Sequence, residues 1–595
     1  MSPFTQFRRS PAQGQPTLDD ELTPGTEDVE SEPADTADTE TTATTDTTDT
    51  TETAAGAETG KHPVTGLVWT VLAGLMVVLP LVAPDDISHP TVRVFARLPL
   101  EVLVAAAVIL VLPARARRVV AAVAGVALGL LAILKIVDLG FYLALARPFD
   151  LVLDWVLLGD AMGVLSDSIG RVGAVAAVIG AGLLVIAGLV LMTLSVLRLS
   201  RLAAGHRTGA IRAVAVYTIA WVACAATGAH LVPGVPVATS NTAGLVYDSV
   251  QQVRAGLHDR QTFAKEAAVD AFRNTPGQDL LTGLRGKDVV LTFVESYGRD
   301  AVEDPSLSPQ VDAVLDAGTR RLNAAGFASR SAFLTSSTVG GGSWLAHASL
   351  LSGLWINSQQ RYRSLVTGNR LTLSGAFQRA GWRTVSVEPA ISLAWPEQGF
   401  FGYDQGYNSR NLGYHGPHFS YATMPDQYTL AAFERAEHGV PGHKPLMAEI
   451  TLLSSHTPWT PTPSLIDWDS VGDGSVFGPM AKSGDSPSAV WRNRTRIRTA
   501  YRESIEYSLN TLISYVEKYG DKNLVLVFLG DHQPAPIITG AGASRQVPIT
   551  IVAHDPAVLN RISSWGWQPG LRPGPKAPSW RMDAFRDRFL TAFGR

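Results

Sequence analysis

Five apolar stretches, at approximately 64–84, 98–113, 119–145, 172–197 and 211–232, fill most of the chain between residues 63 and 233, separated by short polar joints. Each is comparable to the ~20 residues with which an α-helix crosses a bilayer, so this region predicts a five-helix transmembrane bundle. The buried helices of a soluble core rarely come five in a row with so few charges. A bundle of this size limits what the remaining residues can be: a tail before it and a domain after it.

Residues 1–62 are dominated by Thr, Asp, Glu, Ala and Pro, with almost no large apolar side chains to offset ordering entropy, and are expected to form a disordered tail. The first 60 residues hold 14 Asp and Glu against Arg8 and Arg9, so the tail's −12 within the chain's −4 leaves the rest at +8. No basic run is dense enough to point to nucleic acid. The first apolar run starts near Val64 without a small-residue cleavage site, which makes it an uncleaved anchor.

Orientation follows from arginines, which resist translocation. Arg115, Arg117 and Arg118 flank the third stretch, and Arg198, Arg201, Arg207 and Arg212 lie between the fourth and fifth. These joints belong in the cytoplasm, along with the N-terminus. Five spans then place everything after residue 233 outside it, in a multi-pass protein of the plasma membrane. Lys135 and Asp138, three apart in the third stretch, are spaced to pair on one helix face.

Residues 234–280 read as a linker with a juxtamembrane helix around 245–273. From 281 to 595 short apolar runs alternate with helical patterns, as in an α/β domain with a mostly parallel sheet flanked by helices. The strand candidates are 288–296, 382–389, 446–455, 523–532 and 547–554; the helix candidates are 308–325, 345–353, 371–380 and 496–518.

Three of these strands end in groups that suit a divalent metal, and strand C-termini are where open α/β sheets carry their sites. The first delivers Glu295, the third His456, and the fourth the adjacent Asp531 and His532. A glycine run then leads to Ser343 at the start of a helix, where free N–H groups and the helix dipole favour anions. Ser343 there is either a helix cap or a nucleophile, and one geometry serves both. His347 lies one helical turn further on. Cys224 is the only cysteine, so a disulfide framework and a CxxC metal site are both excluded.

In this order, VESYGRD, GGGSWLAHASLLSG, LLSSHTPW, LGDHQP and VPITIVAH resemble the sulfatase/alkaline-phosphatase superfamily. Within it the chain is most similar to membrane-anchored lipoteichoic acid synthases and related phosphoglycerol or phosphoethanolamine transferases, over roughly residues 281–560. The resemblance implies Ser343 as nucleophile and Glu295, Ser343, Asp531 and His532 as ligands of one divalent metal. Mn²⁺ is the first choice, with Mg²⁺ and Zn²⁺ as alternatives. It implies His456 as the histidine that faces the transferred phosphate.

Two departures sharpen the expectation. Ser343-Trp344-Leu345-Ala346-His347 lacks the proline and arginine that formylglycine sulfatases need after their nucleophile. Where the synthases place a His, a Trp and an Arg on glycerophosphate, this chain has Glu388, Trp395 and Glu397. Acidic groups there repel phosphate and suit sugar hydroxyls or an ammonium group instead. The expected activity is transfer of a phosphoglycerol-like unit from a phosphatidylglycerol-like lipid, through a seryl intermediate, to a glycan or lipid of the cell envelope. The alternatives are a phosphodiesterase, phosphatase or sulfatase-like hydrolase with water as acceptor, and a non-catalytic membrane organiser.

Overall fold

The computed structural model describes residues 63–83, 97–145, 149, 154–232, 235–239, 241–392, 395–540 and 542–595. The expected disordered tail lies outside these residues. Helices α1 (Pro63–Val82), α2 (Leu100–Val111), α3 (Ala114–Leu145), α4 (Trp155–Gly205) and α5 (Arg207–Thr227) make up the apolar part. Four of them, α1, α3, α4 from Gly170 onward, and α5, are long and apolar enough to cross a membrane. This corrects the expectation of five. The stretch 98–113 forms only the 12-residue α2, about 18 Å at 1.5 Å per residue, well short of the ~30 Å hydrocarbon core. It is cut short by Pro99 before it and Pro113 after it. Gly170, at φ 76°, interrupts α4.

Helices α3 and α4 run antiparallel and nearly touch. A Cβ on Gly125 would stand 2.6 Å from the Thr193 Cα, and one on Gly129 2.8 Å from the Leu189 side chain. The Arg115–Arg118 end of α3 therefore lies beside the Arg198–Gly205 end of α4. Arg198 also donates to the Gly66 carbonyl at 2.7 Å, which brings the start of α1 to the same face. Helix α5 starts at this arginine-rich face and leads away from it. Lys135 donates to the Ala83 carbonyl and Asp138 accepts from the Phe149 N–H, each at 2.9 Å, so both buried charges serve backbone at chain reversals.

Helix α6 (Asn241–Ala268) leads into the α/β domain. Its Phe263 is buried, Asp259 and Glu266 both pair with Arg361, and the following Asp270 is enclosed with Arg586. The domain's strands are β1 (Asp288–Val294), β2 (Ala328–Thr335), β3 (Arg383–Glu388), β4 (Gln405–Asn408), β5 (Leu446–Leu452), β6 (Leu524–Gly530), β7 (Gln546–Ala553), β8 (Gln568–Pro569) and β9 (Ser579–Arg581). They form one sheet in the order β8-β2-β7-β6-β1-β5-β3-β4, with β9 on β2. The five strands from β6 to β4 in this order are mutually parallel, whereas β7 is antiparallel to both its neighbours.

The central strands β1, β5 and β6 are buried on both faces, which is why they read as unbroken apolar runs. Helices α7 (Ser308–Ala324) and α10 (Arg494–Tyr519) cover one face, while α8 (Ser343–Ser352) and α9 (Gln359–Val366) cover the other. Strand alternation then fixes the site. Leu291 and Phe293 on β1, Met447 on β5 and Val527 and Leu529 on β6 all face α8. The same period carries Glu295, Glu449 and Asp531 to that side.

Candidate active site

At the C-terminal ends of β1 and β6 four of the expected groups converge. Ser343 Oγ donates to Glu295 Oε2 at 3.0 Å and stands 3.2 Å from His532 Nε2. His532 Nε2 is 3.4 Å from Glu295 Oε1 and 3.4 Å from Asp531 Oδ2. Ligand atoms of Glu295, Asp531 and His532 all lie within 4.8 Å of one another.

Glu295, Asp531 and His532 each turn one atom toward the centre while a neighbour holds another. Asp531 Oδ1 accepts from the Ser296 and His532 N–H groups at 2.8 and 2.7 Å, leaving Oδ2 buried with no hydrogen-bond partner. Ser296 Oγ donates to Glu295 Oε1 at 2.8 Å. His532 Nδ1 lies 2.9 Å from the Gln533 carbonyl, which only accepts, so Nδ1 carries the proton and Nε2 turns its lone pair inward. Ser296 has φ 57°, a left-handed conformation that costs a non-glycine residue about 1 kcal/mol and is pinned by the Tyr501 hydroxyl on its carbonyl. Two carboxylate oxygens, one imidazole nitrogen and a hydroxyl, oriented in this way, fit a divalent cation.

Ser343 owes its place to backbone freedom. Gly340 and Gly342 have φ of 74° and 80°, a turn that L-residues resist, and the Gly340 N–H bonds the Gln533 carbonyl at 2.9 Å. The serine loop is thereby tied to the His532 loop. Burial, with the Glu295 charge adding to it, pushes the Asp531 carboxyl up to about 6. Burial opposes a charge on His532, but Asp531 and Glu295 outweigh it and raise its pKa.

His456 follows β5. Its Nδ1 lies 2.6 Å from the Thr457 carbonyl, and its ring stacks on Tyr421 at 3.8 Å and 16°. Burial pushes its pKa down to about 4, so it is neutral and offers Nε2 as an acceptor or ligand. Tyr421 is 42% exposed, which leaves the outer face of this stack open to a ligand.

The remaining expected residues are placed differently. His347, on α8, lies with Glu388 and Glu449 in a buried group adjoining the centre. Burial lowers the His347 pKa and raises Glu388 to about 7 and Glu449 to about 8. Trp395 is half-buried and packs against Phe401 and Tyr403 at the edge of the core. Glu397 precedes the short helix Gln398–Phe401, and among the described residues no bond links it to Ser343 or its partners. Sequence reasoning missed Ser296, Tyr421 and Glu449. Only Glu449 left a signal, as the one acid inside the apolar run LMAEITLL.

No family model matches the chain, and no curated protein matches it. Solved structures do. The lipoteichoic acid synthase LtaP from Listeria monocytogenes is 14% identical over 53% of this chain and 73% of its own, with a TM-score of 0.35. A protein in the alkaline phosphatase superfamily from Vibrio parahaemolyticus is 16% identical over 50% and 69%, with a TM-score of 0.32. The phosphoglycerol transferase GacH from Streptococcus pyogenes is 14% identical over 56% and 90%, with a TM-score of 0.32. Each of these similarities covers about half of this chain.

Proposed function

We propose that this chain is a membrane-anchored, metal-dependent phosphotransferase of the sulfatase/alkaline-phosphatase type. It moves a phosphoglycerol-like unit from a phosphatidylglycerol-like lipid to a glycan or lipid acceptor of the cell envelope. The observation that carries this is the convergence of Ser343, Glu295, Asp531 and His532, each with one inward-facing atom and, for the last three, a second atom held in place. These four residues would hold one divalent ion, Mn²⁺ before Mg²⁺ or Zn²⁺. When bound, the ion supplies positive charge that lowers the pKa of a serine hydroxyl and offsets phosphate charge.

The chain's own groups do the rest. Ser343 Oγ attacks the lipid phosphorus and forms an Oγ–P bond; the P–O bond to diacylglycerol breaks, and diacylglycerol leaves with the serine proton. An acceptor hydroxyl then attacks the same phosphorus, the Oγ–P bond breaks, and its proton returns to Ser343. The N-terminus of α8 faces the phosphate oxygens, which matters because phosphoryl transfer depends chiefly on positioning and charge stabilisation, and neutral His456, whose Nε2 accepts, orients a hydroxyl of the transferred unit or of the acceptor beside it. The arginine-rich face of the helices belongs in the cytoplasm. Helices α1, α3 and α5 all start at that face and lead away from it, so the chain between α1 and α3, which includes the short α2, has to return to it, and the α/β domain then stands on the extracytoplasmic side, at headgroup level.

Full-length protein in detergent, given phosphatidylglycerol and no acceptor, is expected to gain one glycerophosphate adduct on Ser343 by mass spectrometry. Ser343→Ala abolishes the adduct, and Asp531→Asn lowers turnover by about 10³-fold. An adduct that persists in Ser343→Ala refutes the scheme, and steady glycerophosphate release without acceptor assigns the chain to the hydrolases.

A further inference from the structure

Beside the Ser343 centre, on the same face of the sheet, His347 from α8, Glu388 from the end of β3 and Glu449 from within β5 are enclosed together. One potential ligand atom from each lies within 4.8 Å of the others. All three residues are at least nine-tenths buried. Glu449 stands in register with Leu291, four residues before Glu295, so this group lies deeper along the strands than the first.

Every member is oriented by a neighbour. The Tyr403 hydroxyl donates to Glu449 Oε2, and Thr451 Oγ1 donates to Glu388 Oε2 at 2.8 Å. The His347 ring lies flat on Phe293, with centroids 3.7 Å apart and planes at 13°. Its Nδ1 is 3.4 Å from Glu449 Oε1, and its Nε2 is buried without a hydrogen-bond partner. Among the described residues no arginine or lysine pairs with either carboxylate. Two buried acids with no cationic partner are costly to keep, and a 2+ ion would neutralise both. The donor set of two carboxylates and one imidazole repeats that of Glu295, Asp531 and His532. Orienting partners on each ligand are what metal sites display.

We propose that His347, Glu388 and Glu449 form a second divalent-cation site, distinct from the Ser343 centre, which takes an ion of the Mn²⁺ or Zn²⁺ class through one imidazole nitrogen and two carboxylate oxygens. Three protein ligands leave its other positions to water or a substrate oxygen.

The test counts metal on full-length protein in detergent, stripped with chelator, reloaded with Mn²⁺ or Zn²⁺, desalted and measured by plasma mass spectrometry. Native protein is expected to hold about two equivalents, and Asp531→Asn and the double variant Glu388→Gln/Glu449→Gln about one each. One equivalent on native protein, absent from Asp531→Asn, overturns the proposal whether or not the glutamine variants fold. Two equivalents unchanged in a folded glutamine variant also overturn it. His347→Gln, which keeps volume and charge, is expected to weaken only the second equivalent, by about ten-fold or more. A native count lowered by the glutamines but not by Asp531→Asn supports this site and sinks the Ser343 metal centre instead.

Discussion

Ser296 connects the two acidic ligands of the centre. Its N–H holds Asp531, its hydroxyl holds Glu295, and its left-handed backbone is what lets one residue do both. Ser296→Ala is therefore expected to keep the fold and weaken metal affinity by about 10–100-fold, as losses of orienting partners do; isothermal titration of chelator-stripped protein measures it. At this scale the sequence was legible where chemistry sits at a boundary. Glu295, Asp531 and His532 end strands and Ser343 begins a helix after glycines, so each interrupts a pattern. Ser296 and Tyr421 interrupt nothing, since their roles rest on a dihedral angle and a ring contact that no spacing encodes. Glu388, expected to face substrate, accepts from Thr451 and lies beside His347, a placement that its position in the sequence did not signal.

Elements whose apolar period is unbroken were legible to within a few residues. Strands β1, β3, β5, β6 and β7 and helix α10 fall where their hydrophobic runs predict. Strands β2, ASRSAFLT, and β4, QGYN, were not foreseen: both lie toward the sheet's margins, and their few apolar residues, Phe333 and Leu334 in one and Tyr407 in the other, are too short a run to stand out among small and polar neighbours. The membrane helices show the limit of counting apolar residues, because α2 is apolar enough and too short. The close contact of α3 and α4 rests on two glycines, so Gly125→Leu is expected to separate these helices and lower the detergent-solubilised melting temperature by several degrees. The acids buried in β3 and β5 give a pH signature. Their folded pKa values, raised to about 7 and about 8 from an ordinary 4.5, mean that the native chain keeps protons which the unfolded chain releases. Chelator-treated protein is thus most stable below about pH 4.5 in this respect, and loses that contribution as pH rises through 7 to 8. Thermal melts from pH 5 to 8 should show the decline, and Glu449→Gln should flatten it.

At the scale of the whole molecule, the arginine-rich face shared by α1, α3, α4 and α5 is the one expected in the cytoplasm under the proposed function. In a Cys224→Ala background, Asn274→Cys is expected to react with a membrane-impermeant maleimide added to intact cells, and Gly209→Cys only after lysis. The reverse pattern would turn the protein over. The joint between membrane and domain carries a further consequence. Asp270 lies beyond the end of α6, yet with Arg586 it is fully enclosed, and Arg370 reaches it from the other side. Phe263 is buried seven residues upstream, under the Arg361 guanidinium. A protease that clips the chain just before Phe263 would release the α/β domain with the Phe263 and Asp270 contacts kept and only the Asp259 pair to Arg361 lost. A cut after Asp270 would remove the enclosed partner of Arg586 and leave it only the half-exposed Asp587, so two cuts fewer than ten residues apart would differ in what they take from the domain.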